Sequence, residues 1–96
     1  MPFDWDDANI LHLARHDITP DEAEQVVEND PVDLDMRHVW HEWRLQQVGE
    51  THTGRLLTIV STERSGMTRV ISGWDPTKAD KSVYLGYRMD QIWKPS

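Results

Sequence analysis

The sequence contains no cysteine, which excludes disulfides, thiolate nucleophiles and Cys-ligated zinc or iron–sulfur centres. Long apolar runs are missing too: none approaches the roughly 20 residues that a membrane-spanning helix needs. The opening Met1-Pro2-Phe3-Asp4-Trp5-Asp6-Asp7 is acidic and lacks the basic end of a signal peptide. A cytoplasmic protein without membrane contact is therefore expected. Bases are scarce, 10 against 17 acids for a net charge of −7 over 96 residues. Such a balance argues against indiscriminate binding to nucleic acid, which rests on neutralising phosphates with Lys and Arg. Five tryptophans, by contrast, supply large buriable surfaces, enough for one compact domain without covalent staples.

The charge is unevenly spread. Residues 1–48 hold 12 acids and 3 bases, whereas residues 49–96 hold 5 acids and 7 bases. Any RNA-facing surface must then be local and drawn mainly from the second half, and the acidic first half is suited to a basic protein partner. On an ideal strand Asp33 and Asp35 share one face, with Glu22, Glu24 and Glu28 adding charge nearby.

Two helices come first. Asp6 caps one, with Ile10, Leu11, Leu13 and Ala14 as its apolar stripe; Thr19, Pro20 and Glu22 open the second as a capping box, with Ala23, Val26 and Val27 inward and Asn29-Asp30-Pro31 as its stop. From Val32 the period changes from helical to alternating. Strands are expected at Val32–Arg37, Trp43–Val48, Arg55–Thr62 and Met67–Trp74, joined by short turns that favour antiparallel hairpins. Asp75-Pro76 is expected to open a third helix that runs to about Leu85, turns Ala79, Val83 and Tyr84 inward and ends at Gly86. The expected fold is α+β: two N-terminal helices, a four-stranded antiparallel sheet and a C-terminal helix, with the helices on one sheet face. Residues 1–86 form the domain, and 87–96 form an extension whose Ile92 and Trp93 dock on the domain or on a second copy, giving a homodimer.

Three blocks carry a family resemblance: Phe3-Asp4-Trp5-Asp6 with Asn9 and Arg15-His16; Gly49 through Gly54-Arg55-Leu56-Leu57 to Thr62-Glu63-Arg64; and Arg69-Val70-Ile71-Ser72 with Thr77, Asp80-Lys81 and Tyr84. In these the chain resembles the BrnT toxins of bacterial type II toxin–antitoxin pairs. The resemblance implies a RelE-like ribonuclease fold, translation arrest by RNA cleavage, and a cognate antitoxin. It departs at Gly73-Trp74-Asp75, where the family carries a small residue and two arginines. A second reading follows from that departure and the −7 charge: a non-catalytic, toxin-derived binding module that keeps the fold and the partner surface.

Metal-free RNA cleavage needs a group to take the 2′-hydroxyl proton, a donor for the leaving oxygen and cations for the phosphate. His16, an imidazole at a helix end, is the expected acid–base group, and the alternative makes it a helix C-terminal cap. Arg69, placed by simple alternation on one face with Ile71 and Gly73, is the expected transition-state contact, and Glu63 is its alternative ion-pair partner. Lys81, with Lys78 three residues before it, lines the same cleft or is merely exposed; Arg44, Arg55 and Arg64 complete the RNA-binding set, with a solvated alternative for Arg55 and Arg64 beside turns. His12 and His16 are spaced for a two-histidine metal site but no third ligand is evident, so neither metal nor cofactor is expected.

Overall fold

The computed structural model describes residues 2–93, Trp93 by its backbone alone. Helices α1 (Asp7–Ala14) and α2 (Pro20–Glu28) precede strands β1 (Val32–Val39), β2 (Glu42–Glu50), β3 (Leu56–Arg64) and β4 (Met67–Trp74), and helix α3 (Lys78–Trp93) closes the chain. The sheet is antiparallel in the order β1-β2-β3-β4. The α+β architecture and its element order are those expected.

Both N-terminal helices begin as their sequences dictate. Asn9 N donates to the Asp6 carboxylate at 3.1 Å, and Asp6 N donates back to the Asn9 side chain at 2.8 Å. Thr19 and Glu22 form the same reciprocal pair at 3.2 and 3.0 Å, with Pro20 at the first helical position. These boxes occupy backbone donors that helix ends otherwise leave unpaired. Leu13, Ile18, Ala23 and Val26 then meet Leu57, Ile59 and Val70 in the core, with Phe3, Trp5 and Val27 at its margin. Gly73 lies beneath this contact: a Cβ there would come within 2.9 Å of Ile59 Cδ1 and 3.2 Å of both Ile18 Cδ1 and Leu13 Cδ2. A glycine lets the corner between α1 and α2 approach the sheet.

The third helix differs from expectation. Thr77 caps it instead of Asp75, its hydroxyl accepting from Asp80 N at 3.1 Å. It runs through Gly86 to Trp93 without a break, because nothing there requires the left-handed turn that a terminating glycine provides. Ala79 and Val83 are exposed, and Tyr84 is the buried residue. Ile92 stays 76% exposed, so its expected docking on the domain does not occur; the Trp93 side chain lies outside the described residues. Residues 87–91 are nevertheless held: Tyr87 and Gln91 reach Asp30 at 3.4 and 3.1 Å, and Arg88 Nε donates to the Tyr84 hydroxyl at 2.8 Å.

Strand register shows that the helices do not share one face. Gly49 pairs with Leu57 and faces α2 through Val26 and Pro31. Its neighbours Val48 and Glu50 therefore point the other way, and Glu50 accepts from the Tyr84 hydroxyl at 2.9 Å. Helix α3 thus covers the face opposite α1 and α2, at the end where Thr58 pairs with Trp74. Trp74 pairs with Thr58 on that same face and so points away from α2.

Two single-residue bulges redistribute the strand side chains. Asp33 pairs with Gln47 but Asp35 pairs with Gln46, leaving Leu34 as the extra residue. The two aspartates consequently project to opposite faces, not the same one. Likewise Ser72 pairs with Val60 and Val70 with Ser61, leaving Ile71 extra. That insertion turns Arg69 to the face opposite Gly73.

Candidate nucleic-acid interface

With the bulges in place, one rung of the sheet becomes basic. Arg37 lies opposite Arg44, Arg44 opposite Thr62, and Thr62 opposite Arg69, so the four residues cross all four strands on one face. Arg64 is two residues beyond Thr62 and shares that face. Like charges directly opposite one another are destabilising. The chain answers with acids: Arg37 pairs with Asp35 at 2.9 Å, and Glu42 takes Arg44 at 3.3 Å and Arg64 at 3.1 Å.

Arg69 is held from a different direction. Residues 2–4 run parallel to the start of β4, Asp4 N donating to Thr68 O at 2.9 Å and Thr68 N to Pro2 O at 3.0 Å. This strap sets Asp4 at 3.5 Å and the α1 cap Asp6 at 2.7 Å from the Arg69 guanidinium. Glu63, the partner of Arg69 in the alternative reading, pairs with Thr68 on the other face.

Arg44, Arg64 and Arg69 line a shallow groove of about 260 Å³ with Ala8, Asn9 and His12 of α1. Asn9 anchors that helix by donating to Val70 O at 3.2 Å, and His12 Nε2 lies 3.1 Å from the Ser72 hydroxyl. His12, one helical turn after Asn9, thus belongs to the groove. His16, the expected acid–base residue, lies beyond the end of α1 and does not line it. Its ring centre is 6.3 Å from that of His12.

The remaining expected residues lie elsewhere. Arg55 reaches Asp17 O at 2.6 Å, Glu22 at 3.1 Å and Asp75 at 3.5 Å, tying together the end of α1, the start of α2 and the segment after β4. Lys78 and Lys81 are exposed on the first turns of α3, away from the groove lining. Sequence reasoning missed His12 as a groove residue, and Glu42, Asp4 and Asp6 as its internal anions. Only the spacing of His12 to buried Asn9 carried a signal.

The electrostatics follow the pairing. A backbone hydrogen bond from Asn9, then the Arg69 guanidinium, hold the Asp6 carboxyl below its ordinary value. Partial burial works to raise Glu42, whose side chain is 16% exposed, but Arg64 and Arg44 outweigh it and leave that carboxyl lowered as well. Arg69 is raised, chiefly by its hydrogen bond to Asp6. The pairing thus favours the charged forms of Asp6, Glu42 and Arg69.

A larger hollow of about 670 Å³ lies on the opposite face, between α2 and the β1–β2 hairpin. Val27, Met36, Trp43 and Leu45 line it, along with Glu42 and Glu63, and among the described residues no Lys or Arg lines it. Size alone would favour this hollow, but the groups able to bind a phosphate are in the smaller groove. Among the described residues no three His, Asp or Glu side chains gather as a metal set, and no helix is long and apolar enough to cross a membrane.

Guanidinium groups and an imidazole that share one open groove are groups able to bind a phosphate. The comparison with known families is specific. Over residues 5–80 the chain matches the family described as the ribonuclease toxin, BrnT, of the type II toxin–antitoxin system, and it belongs to that family. An antitoxin partner goes with that membership. No curated protein matches the chain.

Proposed function

We propose that the protein is a metal-independent ribonuclease whose cleavage of RNA arrests translation, with Arg44, Arg64 and Arg69 holding the scissile phosphate and His12 moving the proton. The observation that supports this most is the convergence of those three arginines and one imidazole on a single groove. Guanidinium groups bind phosphate oxygens in pairs and gain strength as charge builds in the pentacoordinate transition state. An imidazole near neutral pH can accept the 2′-hydroxyl proton or deliver one to the leaving 5′-oxygen. For RNA to enter, its phosphate must displace the carboxylates of Asp4, Asp6 and Glu42 from the arginines. His16, just outside the groove, and Lys81 on α3 would serve at most as outer contacts to the strand.

The test is cleavage of a structured RNA by purified protein in the presence of EDTA. Activity should persist, and Arg69→Ala or His12→Ala should each lower it by about 100-fold or more, whereas His16→Ala and Lys81→Ala should lower it less. Loss on chelation with recovery on adding manganese would sink the metal-free reading; full activity of an Arg69→Ala, His12→Ala double variant would sink the site. The binding-module reading draws on a separate observation, that every groove arginine is already held by a carboxylate of its own chain. It expects RNA to remain intact with every variant and expression of the chain alone to leave growth unaffected.

A further inference from the structure

Strand β1 is the edge of the sheet, and the hairpin that follows it fixes which of its backbone groups are free. Trp40 and His41, at φ of 50° and 66°, form the two-residue turn, the geometry of a type I′ hairpin. Val39 and Glu42 flank it as a pair, and in such a hairpin the flanking pair exchanges both backbone hydrogen bonds. Bonded and non-bonded pairs then alternate down the ladder. Val39, Arg37 and Asp35 therefore point their N–H and C=O groups at β2, while His38 and Met36 point theirs outward. Among the described residues no strand pairs with that outer side.

A second β1 meeting this edge antiparallel about a two-fold axis must pair outward residues with outward residues. Registers centred on Asp35, Met36, Arg37 or His38 satisfy that condition, and the one centred on His38 sets Val39 opposite Arg37, so it places no acid there. Centred on Arg37, the register sets Arg37 against itself; centred on Asp35, it sets Asp35 against itself. Like charges directly opposite are destabilising. Centred on Met36, the register places each Arg37 opposite the other copy's Asp35, twice over, and brings the two Met36 side chains together. Met36 is 59% exposed, a large apolar side chain with no cover. We infer that the protein self-associates through β1, as a two-fold dimer centred on Met36 with an eight-stranded continuous sheet.

The edge has the features this requires. The bulge at Leu34 distorts only the beginning of the strand, leaving Asp35–Val39 regular. No proline or lysine interrupts β1, so the usual devices that blunt an edge are limited to its charges and the bulge at Leu34. Those charges carry both signs in a self-complementary order, which selects one register instead of repelling every approach. The interface is isologous and closed, so association stops at two copies. In the free chain Arg37 pairs with Asp35 on its own strand, with side chains 73% and 45% exposed; the dimer exchanges that pair for two equivalent ones between copies.

The absence of cysteine makes the register directly testable. In a bonded antiparallel pair the Cα atoms are about 5.5 Å apart, within the range a disulfide spans. Full-length Met36→Cys, left in air, should form a covalent dimer of twice the 11.2 kDa chain mass, while Asp35→Cys and Arg37→Cys should do so far more slowly. In sedimentation velocity across a concentration series the unmodified chain should shift from monomer to dimer. Arg37→Asp should abolish that shift, and Asp35→Arg combined with Arg37→Asp should restore it, circular dichroism confirming that each variant is folded. Unmodified chain that stays monomeric throughout, no faster crosslinking at Met36→Cys than at its neighbours, or failure of the double swap to restore association would each overturn the inference.

Discussion

The two faces of the sheet are built from the same four strands, residue by residue in alternation, and yet they have opposite chemistry. Beneath α1 and α2, Leu57, Ile59 and Val70 are fully buried and surrounded by carbon. On the other face the end under α3 is closed by Tyr84 and Val48, while the far end is open and carries Arg37, Arg44, Arg64 and Arg69. The contrast separates the residues that hold the fold from those proposed to hold a ligand. The apolar face works by removing area from water, which has no directional requirement. The arginine face is held by ion pairs that remain partly open to water, where such pairs are weak; in the proposed function its value lies in presenting several cations to one anion.

Stability measurements on the two faces test this contrast most directly. Leu57→Ala should cost about 2–5 kcal/mol in urea denaturation, the transfer loss plus an incompletely collapsed cavity. Arg44→Ala should cost less than about 1 kcal/mol, since its partner Glu42 keeps Arg64. Equal losses would mean that the arginine rung is structural. A smaller effect tests how tightly the helix corner fits. Gly73→Ala should cost about 1–3 kcal/mol by overpacking, because Ile59, Ile18 and Leu13 must all give way to the new methyl group. No loss on that substitution would mean that the corner has room to relax.

The smallest effect concerns acid. The Asp6 and Glu42 carboxyls titrate below their ordinary values of 3.8 and 4.5 in the folded chain, so the unfolded state binds protons first as the pH falls. Their stabilisation is complete above those ordinary values and is lost as the pH falls through the lowered ones. An Asp6→Asn, Glu42→Gln variant, which keeps the helix cap, should lose less stability than the unmodified chain between about pH 5 and pH 2. Parallel stability curves over that range would show that these carboxyls do not anchor the arginines.

Much of the fold was legible in the chain because it is locally encoded. Asp6, Thr19 and Glu22 cap helices wherever they meet free backbone donors, and the change of period at Val32 marks the first strand. The alternation of Val32 to Arg37 and the branched run of Leu57 to Val60 needed no tertiary information to be read as strands. The groove was legible only in fragments. Arg44, Arg64 and Arg69 were identifiable as sheet cations, but nothing local distinguished them from Arg55, which clamps two helices and a loop through Glu22 and Asp75. His16 attracted notice by its place at a helix end, whereas His12 enters the groove because Asn9 anchors the same side of α1 to Val70.

Local sequence alone set the starts of α1 and α2, the four strands, the acidic charge balance and the family to which the chain belongs. Only the tertiary structure decided which face each strand residue serves. Side chains alternate with a period of two, so one inserted residue reverses everything beyond it, and whether a residue is inserted depends on the partner strand's register. Leu34 and Ile71 are such insertions. The one at Ile71 moves Arg69 away from Gly73 and into line with Thr62, Arg44 and Arg37. The placement of α3 was likewise a tertiary decision, because Tyr84 and Glu50 are 34 residues apart and meet only after the sheet has formed.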